Sequence, residues 1–185
     1  MTARIESPSA YNGLSKSLHW LIVVLVVVQF AVALTMPDVG KDTKPVDLIA
    51  WHLSIGACIL LVMVVRLGWR FVSAVPPAPS NVPQLLRLAS QVTHGLLYGI
   101  LTGLPLLGWI NANARGWTVR LAGVLPLPAL VPQGSLWGRQ MGDVHIIVAW
   151  VLFGLVGLHV VAALYHRFVL QDSLLRRMWP PIGRV

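Results

Sequence analysis

The chain has 185 residues, of which 56% are hydrophobic and only 11% charged, against about 25% charged in a soluble domain, so a polar shell around a single core is excluded. Its single cysteine excludes a disulfide framework, a four-cysteine metal site, an iron–sulfur cluster and the two-cysteine attachment of a c-type haem. Six acidic residues leave little for carboxylate-rich metal chemistry, and a net charge of +8 in so apolar a chain points to membrane topology and anionic lipid, with no nucleic-acid partner.

Uncharged stretches run from 17 to 37, 48 to 65, 88 to 114 and 144 to 166. A spanning helix needs about 20 apolar residues, and lipid admits only helices or closed barrels. Barrel strands alternate polar and apolar residues, whereas Leu21 to Val28 is apolar throughout. The fold class is therefore all-α, an integral membrane four-helix bundle forming a single domain over residues 1–185. The first span covers about 18–36, ended by Pro37, and the second about 48–69. Residues 75–83 hold four prolines and form an extended link. The third span covers about 85–111, with Pro105 as a bend. Residues 121–132 are apolar but proline-rich and too short to cross, which predicts an interfacial or dipping loop. The fourth span covers about 144–168. Asp172 then caps a short interfacial helix over 173–179, with Leu174, Leu175 and Met178 toward lipid and Arg176 and Arg177 toward headgroups.

Orientation follows from the basic residues. Arg4, Lys16, Arg66, Arg70, Arg87, Arg167, Arg176, Arg177 and Arg184 fall on one side, and Lys41, Lys44, Arg115, Arg120 and Arg139 on the other. The richer side is expected to be cytoplasmic. That makes a multi-pass membrane protein with both termini cytoplasmic.

Ionisable residues in spans are costly and suggest function. His19 and His159 sit near the inner ends of the first and fourth spans, and His52 and His145 near the outer ends of the second and fourth. His145 and His159 are 14 residues apart. At about 100° per residue this falls about 40° short of four turns, so both rings share one face, about 21 Å apart along the axis. Zinc would take three or four ligands at one point, and non-haem iron a carboxylate beside two histidines. Haem takes one axial ligand on each side of its plane. Two haem b sites, His19 with His159 and His52 with His145, account for all four residues as iron ligands. His94 and His166 lack such pairing. They read as interfacial histidines or as contacts to a haem propionate or a quinone, with Arg66 on the same side. The glycine stripe Gly95, Gly99 and Gly103 reads first as helix packing.

The chain resembles the bacterial cytochrome b561 family, whose haem-b bundle is shared more distantly by the cytochrome b subunits of nickel–iron hydrogenases. The resemblance rests on Ser17-Leu18-His19-Trp20, Trp51-His52, Val64-Val65-Arg66-Leu67, His94 with Leu97-Tyr98, and Leu104-Pro105-Leu106-Leu107-Gly108-Trp109. It continues through His145, Gly157-Leu158-His159, Ala162 to Phe168 and the tail Asp172 to Met178. Members often carry two histidines in a row where this chain has His166-Arg167. The resemblance implies a di-haem membrane protein exchanging electrons with quinone, ubiquinone being the expected acceptor, with the same four ligands. Some relatives oxidise superoxide at the outer surface, which would make the chain an oxidoreductase of the superoxide:quinone type. The loop 112–142 bears Arg115, Arg120 and Arg139 and no acid, a cationic funnel suited to steering a small anionic donor. The alternative function is a cytochrome b anchor subunit, with the same loop docking an acidic redox partner protein.

Overall fold

The structure is a computed structural model that describes residues 10–74, 76–77, 83–172 and 174–179. Its elements are α1 (Gly13–Thr35), α2 (Asp47–Val72), α3 (Gln84–Ala114), β1 (Arg120–Leu121), β2 (Leu125–Pro126), α4 (Leu136–Phe168) and α5 (Leu174–Met178). The four long helices are each long and apolar enough to cross a membrane. The valine-rich run of α1 would be a poor helix former in water. In hydrocarbon it has no alternative, because every backbone group must be satisfied within its own segment. Asn12 starts α1 by accepting the Ser15 N–H at 2.8 Å, and Pro37 follows its end.

Contacts run α1 to α2, α2 to α3 and α3 to α4. Across the middle, side chains close the bundle: Phe30 and Phe153 meet edge to face with centroids 5.3 Å apart. Ile22, Val26, Ile59 and Met63 form a small buried cluster. Elsewhere large apolar residues face outward, Val27 being 64% exposed and Val161 62%. A soluble surface avoids such a coat; in lipid it is the solvated face.

Three expectations change on inspection. α4 starts at Leu136, not near 144. Arg139 and Asp143 end the apolar span but do not end a helix, and Ser135 caps the earlier start by accepting the Gly138 N–H at 3.3 Å. The extra eight residues carry α4 about 12 Å beyond its apolar segment. The loop after α3 is a folded cap whose antiparallel hairpin pairs Arg120 with Pro126 and Leu121 with Leu125. Asn113 pins it, donating to the Trp117 carbonyl at 3.1 Å and accepting the Leu130 N–H at 2.8 Å, and Val119 is buried beneath it. Last, the short helix expected at the interface, α5, is a clasp. The Met178 carbonyl accepts the Trp20 indole N–H at 2.9 Å, and the Arg177 guanidinium donates to the Pro77 carbonyl at 2.8 Å. Ser173, the expected first residue of that helix, lies outside the described residues.

Candidate functional site

The bundle has a loop end, under the hairpin cap, and a terminus end, where Tyr11 and Arg177 meet through their backbones. At the loop end His52 of α2 and His145 of α4 face one another with ring centroids 6.0 Å apart. Two imidazoles bound through nitrogen to one metal, at about 2.0–2.1 Å per bond, place their centroids about 6 Å apart. Both rings border a cavity of about 240 Å³ with an almost wholly apolar lining.

His145 is oriented by α3. Its Nδ1 lies 3.0 Å from the Leu104 carbonyl. A carbonyl only accepts, so Nδ1 carries the hydrogen and Nε2 keeps the lone pair a metal would need. Gly108, one turn on, makes room: a Cβ there would lie 3.1 Å from His145 Cε1. His52 is contacted from α1. The Gln29 amide nitrogen lies 3.1 Å from the His52 carbonyl and 3.3 Å from His52 Nε2. Both contacts are donations, so His52 Nε2 accepts here, and a metal bound at that nitrogen would take the place of the Gln29 amide.

Buried polar atoms without a hydrogen-bond partner among the described residues gather here. They include Gln29 Oε1, His52 Nδ1 and Trp109 Nε1, all on residues lining the cavity. Leaving such atoms unpaired costs about 1–3 kcal/mol each. A flat apolar group with a metal centre and a polar edge fits this set. No cluster of three or more metal-ligating side chains occurs among the described residues.

The terminus end is built differently. Fourteen residues down both antiparallel helices from the Gly108–His145 contact, His94 of α3 meets His159 of α4, centroids 5.3 Å apart. The spacing of the histidines assigns His94 no such partner, because the register of α3 on α4 cannot be read from either helix alone. His19 lies within electrostatic reach of Arg66, His159 and His94. Arg66 donates to Tyr98 Oη at 3.3 Å and to the Ser15 carbonyl at 3.2 Å. The guanidinium carbons of Arg66 and Arg70 lie 5.7 and 5.6 Å from the Tyr98 ring centroid. His166 stands apart, its Nδ1 2.5 Å from Asp172 Oδ2. A Cβ on Gly95, Gly99, Gly103, Gly154 or Gly157 would meet nothing within 4 Å. These glycines border open space, contrary to the packing role expected of the α3 stripe.

The three loop arginines also differ. Arg115 donates to the Gly40 carbonyl at 3.0 Å and to Asn111 Oδ1 at 3.1 Å, and covers Trp117, so it ties the cap to the bundle. Arg120 and Arg139 are exposed. Sequence reasoning passed over Gln29 and Trp109. Gln29 carried a signal, as the one amide in the long apolar run of α1; Trp109 looked like any aromatic near a span end.

A helical bundle of four apolar spans with opposed histidines beside an apolar cavity has the architecture of the membrane cytochromes b. The chain belongs to the prokaryotic cytochrome b561 family, whose model matches residues 10–181. It is 31% identical to "Cytochrome b561 homolog 2" of Escherichia coli (strain K12), over 94% of this chain and 93% of that one. It is 28% identical to "Probable superoxide oxidase CybB" of Yersinia pestis, over 92% and 96%. It is 29% identical to "Cytochrome b562" of Cereibacter sphaeroides, over 92% and 96%. The chain is thus a multi-pass membrane cytochrome b with a role in electron transfer, and its cofactor is haem b.

Proposed function

We propose that the chain holds two haem b groups, one at each end of the bundle, and moves electrons from a soluble donor at the loop end to a membrane quinone. The facing of His52 and His145 at 6.0 Å carries this reading, with His19 and His159 as the second pair. Bound haem supplies a reversible one-electron carrier. The residues do the rest. Leu104 and Gly108 fix His145 with Nε2 available, and the apolar lining keeps water out. A haem held by a histidine pair would offer no open position to a substrate and would supply outer-sphere electron transfer. His94, His166 and Arg66 stand where they can contact a propionate or a quinone.

Superoxide is the donor to test first. One relative carries superoxide oxidase in its name, and the exposed Arg120 and Arg139 of an acid-free cap suit a small anion. Purified protein should contain two haem b per chain, take electrons from superoxide, and return to the oxidised form when a soluble ubiquinone analogue is added. One haem per chain would overturn the two-site reading. Reduction by an acidic redox protein but not by superoxide would favour the anchor-subunit function.

We place the protein in the bacterial inner membrane with both termini in the cytoplasm, on the nine-to-five split of basic residues. Alkaline phosphatase fused after Lys41 should be active, and fused at the C-terminus inactive. The reverse pattern would exchange the roles of the two ends.

A further inference from the structure

Asp172 is the one acid at the terminus end among the described residues; Asp38, Asp42, Asp47 and Asp143 lie at the loop end. Around it the same end carries Lys16, Arg66, Arg70, Arg87, Arg167, Arg176 and Arg177. A lone carboxylate among so many guanidinium groups would ordinarily settle on one of them, where two parallel hydrogen bonds are offered. Instead Oδ2 takes His166 Nδ1 at 2.5 Å, and Oδ1 accepts the Leu174 N–H at 3.0 Å. The histidine and aspartate side chains are 23% and 27% exposed, so the pair is neither sealed nor fully in water. His166 follows His159 by seven residues, about 20° short of two turns. It therefore continues the face that carries His145 and His159, about 10 Å nearer the terminus end.

We propose that His166 and Asp172 form a proton-transfer pair serving the quinone at this end of the bundle, an inference that rests on the quinone reading above. A quinone becomes a quinol by gaining two electrons, delivered singly from the donor, and two protons. His166 Nε2–H gives a proton to a quinone oxygen, the N–H bond breaking as the O–H bond forms. The imidazole left behind keeps its Nδ1–H on Asp172 and regains a proton at Nε2 from cytoplasmic water before the second transfer. Asp172 is a positioning residue. It holds the hydrogen on Nδ1, so that Nε2 is the nitrogen that exchanges. Other charged or titratable groups on the surrounding elements are Arg87 and His94 of α3, Tyr165 and Arg167 of α4, and Arg176 and Arg177 of α5. None of them is an acid that could replace Asp172.

The competing account is mechanical. The Asp172 N–H also donates to the His166 carbonyl at 3.1 Å, so the pair could merely join α4 to α5. Asp172→Asn separates the two, because asparagine caps a helix as well as aspartate but brings an uncharged amide to Nδ1. Asp172→Ser, also a capping residue, is the second variant should the first fail to assemble. The assay uses purified haem-loaded protein and a short-chain ubiquinone analogue. Haem content, visible spectrum and reduction by the donor should match the wild type in both variants. Reoxidation at saturating quinone should fall about a hundredfold, the range of lost general acid catalysis, with little change in KM. Asp172→Glu should restore most of the rate. His166→Gln combined with Asp172→Asn should be no slower than His166→Gln alone, as expected when one residue acts through the other. Wild-type reoxidation rates in both capping variants, or multiplying effects in the double variant, would overturn the pair. Wild-type protein that leaves the quinone unreduced would instead overturn the parent reading, and the pair's task with it.

Discussion

At the loop end, two imidazoles face each other beside an apolar cavity. One is anchored on a backbone carbonyl, and besides the two histidines the polar side chains on the cavity wall are the Gln29 amide and the Trp109 and Trp150 indoles. At the terminus end, His159 packs on His94, Arg66 and Arg70 cover Tyr98, and His166 meets Asp172 two turns below His159. Electron storage favours the first surroundings, because dry, uncharged walls bind no competing ligand and reorganise little. Proton exchange favours the second, where charges and titratable groups reach water. Under the proposed function, the loop end would serve electron transfer alone and the terminus end would add proton exchange to it.

Removing a ligand breaks the comparison most severely. His145→Ala should lose the loop-end haem and His159→Ala the other, each leaving roughly half the haem, because a bis-histidine site loses its hold with one axial ligand gone. His94→Ala should keep both. Haem assays with absorption spectra decide this, and loss of haem in His94→Ala with full retention in His19→Ala would move the terminus-end pair to His94 and His159.

A gentler change sharpens it. Gly108→Ala puts a methyl 3.1 Å from the His145 ring, an overpacking that costs about 1–3 kcal/mol. Loop-end haem should then be released more readily in detergent, while Gly103→Ala, which meets nothing within 4 Å, should behave as the wild type. Equal haem retention in the two variants would mean that α3 does not cradle His145.

The smallest effect concerns the cap. Replacing Arg120 and Arg139 by glutamine should slow haem reduction by an anionic donor a few-fold at low salt. It should also flatten its salt dependence, since the Debye length falls from about 30 Å at 0.01 M to about 3 Å at 1 M. Stopped-flow traces at several ionic strengths measure this. Reduction indifferent to both salt and the substitutions would remove the cap from donor capture. Arg115→Gln should act differently, loosening the cap itself through Asn111 and Gly40.

Four spans and the depths of their histidines were legible in the sequence because lipid imposes them: a charge cannot sit mid-span without cause, and the helix repeat fixes which residues share a face. The early start of α4 was not legible, because charges mark where hydrocarbon ends and capping residues mark where a helix ends, and here the two lie eight residues apart. His94 meeting His159 depends on the register between two helices, which no single-helix periodicity contains. Gln29 and Asp172 acquire meaning only through partners far away in the fold or across a turn. Conversely, the cationic funnel was drawn with three arginines, and packing withdraws Arg115 from it.

The clasp of α5 on Trp20 has a consequence for biogenesis. Its hydrogen bond joins residues 158 positions apart, so at about 5–20 residues per second the first span waits roughly 8–30 s for the segment that fastens it. During that interval α1 is held mainly by α2, and its opposite side stays open, first because α4 is not yet made and then, for about the last ten residues, because the clasp is not. A planar cofactor entering from the lipid would have that lateral doorway for as long as translation leaves the clasp unmade.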